Sequence, residues 1–500
     1  RAARLMDTLI VILPIIPAAA GLAVAGFGWR HVTAWLCPAS ALGVIAVGVV
    51  LAIRVLADGP TTAFGGMFRV DAVSALMIIL IGVVAAITAT SSIAYLDTEL
   101  AGGATTLDRA RLYGILIQLT VAAMLVVVTA DNLGIVWVAI ETTTIATVLL
   151  VGHRRDRLSV EASWKYLVLG SVGVATALMG TVLVYFVARQ SGIEASHALN
   201  WSVLVEQAST LDKGALRVAI GIVLVGYGTK AGLAPLHSWL PDAYSQAPAP
   251  VAALMAGVLS SMPMYALLRF KVIADITLGP DYLRTLLIAA ALVSLAVAAS
   301  LTVTQRDYKR LLAYSSIEHI GLIALAAAIG SPLAMAAALL HMIGNGLAKS
   351  VAFSTTGEML FLTGTTRIDG VHGLLRRQPF VGGVFGLSLV ALLGLPPFSI
   401  LASEIAIVRA GVSDGLTWVI AVALALMMVI FTAFVVHALN MLTGGGAQDD
   451  AEEPAALSGH RASLTARIPL VAGLLVAAAV GITIWPIERL LLTAAEVLAR

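Results

Sequence analysis

Apolar runs of about 18 to 25 residues follow one another from the first residues of this chain to the last, each long enough to cross a bilayer as a helix. Read against the polar breaks between them, they predict about fourteen spans, at 7–28, 33–57, 71–96, 111–130, 132–151, 163–188, 215–240, 247–270, 284–304, 310–329, 333–359, 380–409, 415–441 and 467–487. A backbone in hydrocarbon must satisfy its own polar groups, so the expectation is an all-α, polytopic membrane protein. Of the 500 residues only 12% are charged, and mean hydropathy is +0.98. Soluble domains carry about 25% charged residues, so no soluble domain is expected. Residues 1–500 read as a single membrane domain. Only 189–214 and 442–466 exceed a short loop, and neither has the length or pattern of a domain, although the second holds the acidic stretch GGGAQDDAEEPAAL.

Several function classes drop out at once. A formal net charge of +2 with no dense basic cluster gives nucleic acid nothing to hold. Cys37 is the single cysteine, which excludes a disulfide within the chain and any four-cysteine iron–sulfur or zinc centre. No cofactor is expected, and any redox chemistry would sit in partners. The start, RAARLMDTLIVILPIIPAAAGLAV, is basic and then apolar like a signal peptide but lacks a small-residue cleavage site, so it reads as a first membrane helix. Arg1 is not a methionine; either residues precede it or Met6 lies near the true start.

An even span count puts both termini on one side. Lysines and arginines divide almost evenly, about 15 against about 13, but the short, dense basic loops share one face. That face carries Arg154, Arg155, Arg157, Arg306, Lys309, Arg310, Arg376 and Arg377 and is expected to be cytoplasmic, with the termini opposite, in the inner (cytoplasmic) membrane of the cell.

Two lysines fall inside spans. Lys230 lies in the seventh, in YGTKAGLAPLHSWLPDA, and Pro235 five residues later has no amide to donate and crowds the preceding turn. Non-helical backbone at this depth is tolerated only inside protein or beside a hydrated cavity, so the break points to water or ions near Lys230, with His237 and Asp242 beyond it. The twelfth span repeats the device in LLGLPPFSILASEIAI, where Pro396 and Pro397 interrupt the helix before Glu404. Paired breaks of this kind mark repeated transporter architecture, here two five-helix repeats, inverted, with helices 7 and 12 broken.

The eleventh span, HMIGNGLAKSVAF, sets His341, Asn345 and Lys349 four residues apart on one helical face. The fifth holds one carboxylate, Glu141, and the tenth adds Glu318 and His319. A lysine at the centre of a membrane helix costs roughly 2.5–3.5 kcal/mol even on insertion scales, so something must offset it. If Glu141 and Lys230 meet, each lowers the other's burial cost. Burial favours a neutral amine and a nearby carboxylate restores its charge, so moving the carboxylate switches proton occupancy.

Blander readings stand beside these. Lys230 and Lys349 could snorkel, but both lie too deep; Glu141 could cap a polar patch. His237 and His341 could be core histidines bonded to freed carbonyls, and Glu318 and His319 could only fix packing. Glu404 could sit near an interface, where Glu358 is expected; Glu161 and Lys165 are placed at the mouth of a span.

TKAGLAPLHSWLPDAYSQAPAPVAALMAGVL, QRDYKRLLAYSSIEHIGLI, HMIGNGLAKSVAFSTTGEML and GLPPFSILASEIAI, in that order, resemble the blocks of the antiporter-like, proton-pumping subunits shared by respiratory complex I, multisubunit Na+/H+ antiporters and membrane-bound hydrogenases. The likeness spans roughly 70–440, and SSIEHIG is most similar to the hydrogenase 4 and formate hydrogenlyase form, above all to the F-type membrane component of hydrogenase 4. The resemblance implies fourteen helices whose inverted repeats each form half a proton channel, at 111–270 and 284–441. It implies Glu141 as the fifth-helix carboxylate, Lys230 its partner, Lys349 and His341 the central relay and Glu404 the outlet. Asn345 stands where many members have a second histidine, and 251–268 has no lysine or histidine, so water must bridge that stretch. The chain ends soon after its last span, and no long lateral helix is expected.

The resemblance implies a non-catalytic, proton-translocating subunit of a membrane-bound oxidoreductase complex. Its partners would be other integral subunits, a peripheral redox arm, the lipid bilayer and protons, with Na+ as the alternative ion. One alternative is a subunit of a multisubunit Na+/H+ antiporter, or of an inorganic-carbon uptake complex; another is a scaffold that no longer pumps.

Overall fold

The computed structural model describes residues 2–444 and 462–499. In chain order its helices are α1 (Ala2–Phe27), α2 (His31–Asp58), α3 (Ala72–Ala101), α4 (Leu107–Thr129), α5 (Leu133–Val151), α6 (Arg157–Gln190), the short α7 (Trp201–Glu206), α8 (Lys213–Ala231), α9 (Trp239–Gln246), α10 (Ala249–Leu254), α11 (Ser261–Leu278), α12 (Pro280–Val303), α13 (Tyr308–Ile329), α14 (Pro332–Thr363), the one-turn α15 (Leu374–Arg377), α16 (Pro379–Leu392), α17 (Ser399–Ser413), α18 (Thr417–Leu442), α19 (Leu464–Ile482) and α20 (Trp485–Leu498). The acidic stretch of the 442–466 segment lies, but for Gly444, outside the described residues.

Thirteen spans among the described residues are long and apolar enough to cross a membrane. The expected twelfth is split into α16 and α17, each too short at about 1.5 Å per residue to bridge a core of about 30 Å alone. With that pair the crossings number fourteen, as the apolar pattern predicts. Polar side chains set many helix starts: Asp71, Thr106, Asn132, Asp156, Asp212, Asp307 and Ser331 each accept a backbone N–H of the first turn they precede. A small antiparallel hairpin, β1 (Thr61–Ala63) with β2 (Phe68–Val70), joins α2 to α3. Its strands are too short for period-2 alternation to be legible.

The eighth crossing runs as one helical span from Ala249 to Leu278, through α10, a π turn at Met255–Leu259 and α11. It ends eight residues later than expected, which takes Lys271 into the helix, and both Lys271 and Arg269, near the expected end, are buried. Arg269 donates to both oxygens of Asp71, at 2.6 and 2.7 Å, and its guanidinium lies 4.5 Å from the Trp201 ring. The pair ties α11 to the start of α3 and to α7.

Burial follows polarity. The polar spans α14, α13 and α10–α11 are almost wholly buried, whereas α18, the most apolar, is largely exposed to where lipid lies. In lipid a polar stripe must face protein, so α3, α10–α11, α13 and α14 form the centre and α1, α2, α6, α12, α18 and α19 the rim. α20 folds back against α3 and α14.

Candidate functional site

The seventh crossing breaks as its sequence predicts. α8 ends where Gly232 turns left-handed at φ 95°, and the amides of Gly232 and Leu233 close back on the Gly228 carbonyl at 3.0 and 2.9 Å. Gly232 is needed there, since a side chain would meet both a strained φ and Leu240. Pro235 follows, and α9 resumes at Trp239. The Ala234 amide donates to Ser294 Oγ of α12, 2.9 Å away, so the break is anchored across the bundle. The Ala234–Pro235 and Pro396–Pro397 peptide bonds are cis.

Lys230 sits in the last turn of α8, where the freed carbonyl end of the helix favours a cation. It is buried, and its ammonium donates to the Tyr166 hydroxyl at 2.7 Å. It also lies 4.5 Å from the Tyr166 ring centroid and 5.7 Å from that of Trp239, which stacks on Tyr166. The same hydroxyl is 2.8 Å from Thr147 Oγ1. Among the described residues no ion pair joins Glu141 to Lys230. Glu141, half-buried on α5, bonds weakly to Ser171 at 3.4 Å and leaves Oε2 buried without a partner. The link from α5 to Lys230 runs instead through Thr147 and Tyr166, because the tyrosine offers the ammonium an acceptor and a ring face at once. Glu141 acts on Lys230 by charge at a distance. His237 is half-buried in the break itself, between exposed residues.

Beyond the break, α9 is held by the first turn of α13. Asp242 is bridged by Arg310 at 2.7 Å and Lys165 at 3.0 Å, and Lys165 pairs with Glu161 at 2.8 Å. Lys309, expected in a basic loop, is 2% exposed, and its ammonium donates to the carbonyls of Ser245 and Ala247 at 3.1 and 2.9 Å. It fastens the carbonyl end of α9, a job that the orphaned acceptors of a helix C-terminus create. Glu358, expected at an interface, is buried on α14.

The second cluster lies between α13, α14 and α17. His341, Asn345 and Lys349 are all buried on one face of α14, as their spacing predicts. Lys349 donates to the Leu312 carbonyl at 2.6 Å and to Ser315 Oγ. His341 Nε2 is 2.9 Å from His319 Nδ1, and His341 Nδ1 is 2.9 Å from Ser403 Oγ. Ser403 is also 2.7 Å from the Ile400 carbonyl, to which it can only donate. Its lone pair then accepts from His341 Nδ1, His341 Nε2 accepts from His319 Nδ1, and the bare nitrogen is His319 Nε2, buried with no partner. Adding a proton there and withdrawing one at Ser403 inverts the His319–His341 and His341–Ser403 bonds without moving a heavy atom, and gives up the Ser403–Ile400 bond. Glu318 lies within electrostatic reach of both Glu404 and Lys349.

Glu404 rests against the second break. Gly394, at φ 63°, leaves the space: a Cβ there would fall 2.9 Å from Glu404 Cδ. On its other side Glu404 borders a small apolar gap among Leu322, Leu325 and Met427.

Thus Glu318, His319, His341, Lys349 and Glu404 come together in one cluster, Glu141 and Lys230 face each other without contact in a second region, and His237 sits in the helix break with no bond among the described residues to either. Between the two regions stand Trp239, Tyr244 and Phe353, with ring centroids 6.2 and 5.8 Å apart in sequence. The π turn of the eighth crossing packs beside them, its Gly257 against the Gly346 carbonyl of α14. Asn345 presents an Oδ1 there that is buried and unpartnered. Tyr166, Thr147, Ser315 and Ser403 are the members sequence reasoning misses; a hydroxyl at helical spacing carries no signal until its partner is known.

The profile of a family described as NADH:quinone oxidoreductase/Mrp antiporter, transmembrane, matches residues 130–432. A hydrogenase-4 component F homologue of Methylacidiphilum infernorum (isolate V4) is 39% identical over 342 residues, covering 68% of this chain and 71% of that protein. An NADH-quinone oxidoreductase subunit N of Desulforudis audaxviator (strain MP104C) is 32% identical over 285 residues, 56% of this chain and 55% of that one. The fold is similar to a chain of the Mrp complex from Dietzia sp. DQ12-45-1b, at TM-score 0.85 and 20% identity over 99% of this chain and 98% of that one.

Proposed function

The chain belongs to the NADH:quinone oxidoreductase/Mrp antiporter family of transmembrane subunits, and from that membership we propose that it translocates protons as an antiporter-like subunit of a membrane-bound oxidoreductase complex of the hydrogenase-4 kind. The observation that carries this reading is the buried chain from His319 through His341 to Ser403, flanked by Lys349, Glu318 and Glu404. This cluster gathers two imidazoles, an ammonium and two carboxylates on three neighbouring helices, titratable groups that a merely structural core does not need.

In this reading residues 111–270 and 284–441 are inverted half-channels, each opened by its broken helix. Glu141, Lys230 and His237 serve the first. Lys349 and His341 pass the proton on, and Glu404 releases it from the second. Glu141 does not touch Lys230, so a small displacement of either changes the field on the amine without breaking a bond, which suits an electrostatic switch. The driving energy comes from partners: neighbouring integral subunits and a peripheral redox arm that holds the cofactors. The complex lies in the cytoplasmic membrane, with the basic loops inside and the termini outside.

The test is redox-driven acidification in sealed vesicles carrying the intact complex. Lys230→Ala and Lys349→Ala should each abolish acidification while redox turnover slows or runs uncoupled. Unchanged acidification in both would overturn the proposal and leave a scaffold that no longer pumps.

A further inference from the structure

On the face that carries the basic loops, a cleft of about 330 Å³ opens between α4, the end of α5 and the first turns of α6. Its walls are apolar, formed by Leu112, Leu116 and Leu149, and Trp164 stands at its edge 62% exposed. Arg109 and Arg155 line the same cleft. Among the described residues neither guanidinium is held by a carboxylate.

The contrast with the adjacent residue is informative. Arg154 turns inward, to Glu99 at 3.3 Å and the Tyr95 hydroxyl at 2.8 Å. Arg155 adopts a left-handed backbone, φ 58°, which a side chain rarely accepts, and lines the cleft on the other side of the turn. Two unpaired guanidinium groups above an apolar trough, beside an indole, is an arrangement with a polar top and an oily floor. One turn further along α4 and α6 from the cleft's Leu116 and Trp164, Leu119 and Val168 are 42% and 53% exposed, on the side where acyl chains lie.

We propose that this cleft holds one anionic phospholipid, its phosphate between Arg109 and Arg155 and an acyl chain along α4 and α6. Guanidinium matches phosphate oxygens in a planar fork, an interfacial Trp sits at headgroup level, and basic pockets between membrane helices on the cytoplasmic side take acidic headgroups. The lipid would fix the short α5–α6 turn from outside while Arg154 fixes it from inside. Neither arginine belongs to the proton line, so the proposal stands whether or not that reading holds.

The full chain, purified in mild detergent, is titrated with phosphatidylglycerol and with phosphatidylcholine of the same acyl chains and read by native mass spectrometry. Wild type should bind one phosphatidylglycerol at least about tenfold more tightly than phosphatidylcholine. Arg109→Gln/Arg155→Gln should bring the two within about twofold, with melting temperature unchanged in lipid-free detergent. Excess inorganic phosphate should not displace the lipid. Equal binding of the two lipids by wild type overturns the proposal, and that comparison decides even if the double variant fails to fold. Unchanged selectivity in a folded double variant overturns it too, as does displacement by phosphate, which would mark a free-anion site.

Discussion

His319 Nδ1 and His341 Nε2 lie 2.9 Å apart on neighbouring helices, both rings fully buried. Only one proton can occupy that contact, and its position fixes the tautomer of both rings and the role of Ser403. The two helices are therefore joined by a bond with two proton positions, one that keeps the Ser403–Ile400 bond and one that gives it up. Removing Ser403's hydroxyl takes the partner of His341 Nδ1 away in both.

Ser403→Ala should accordingly lower redox-driven acidification by at least about tenfold, the low end of what a lost proton-transfer group costs, with little change in subunit abundance. Ser403→Thr, which keeps the hydroxyl, should recover most of it. A purely packing role predicts the reverse, since alanine fills the space with less strain than threonine. Initial acidification rates of the two variants, normalised to complex content, separate these.

Tyr166→Phe keeps the ring face over Lys230 but takes away the one hydrogen-bond acceptor its ammonium has among the described residues. A buried donor left unsatisfied costs about 1–3 kcal/mol, more when charged, so the variant should unfold at lower temperature and Lys230→Met/Tyr166→Phe should regain part of the loss. Thermal unfolding of wild type, both single variants and the double variant closes the cycle.

Gly394→Ala should damage the second half by a different route. The added methyl occupies the place of the Glu404 carboxyl at a left-handed φ, and overpacking of this kind costs about 1–3 kcal/mol. Acidification should fall with stability. Gly394→Ala/Glu404→Ala should regain stability and not acidification, which the same two assays reveal.

Arg269 and Asp71 form the buried fork that fastens the eighth crossing to the third. Breaking one side leaves the other charge alone, so Arg269→Ala should cost about 3–5 kcal/mol, and pairing it with Asp71→Ala should give back a large part. Denaturation midpoints in detergent measure both.

Much of this arrangement is legible before any coordinates. Apolar length alone gives the crossings, because hydrocarbon leaves a helix no alternative, and proline inside such a run announces a break at 235 and at 396–397. The four-residue spacing of His341, Asn345 and Lys349 survives intact because they share one straight helix. What the sequence does not disclose is which residues meet across helices. Lys230 finds Tyr166 rather than Glu141, since a side chain's partner depends on the rotation of the neighbouring helix. Lys309 hides in a basic segment, QRDYKR, whose other charges are exposed or half-buried, and only the carbonyl end of α9 reveals what it does. The eighth crossing shows no lysine or histidine over 251–268 because its charges, Arg269 and Lys271, gather in its last turns, part of which reads as loop.

The aromatic row of Trp239, Tyr244 and Phe353 gives the two clusters a further property. An unbroken wire of exchangeable protons through a membrane would be a short circuit, draining any gradient as fast as it formed. If the chain carries protons as proposed, three edge-packed rings between Lys230 and Lys349 would work as a lock gate, letting one chamber fill while the other stays shut.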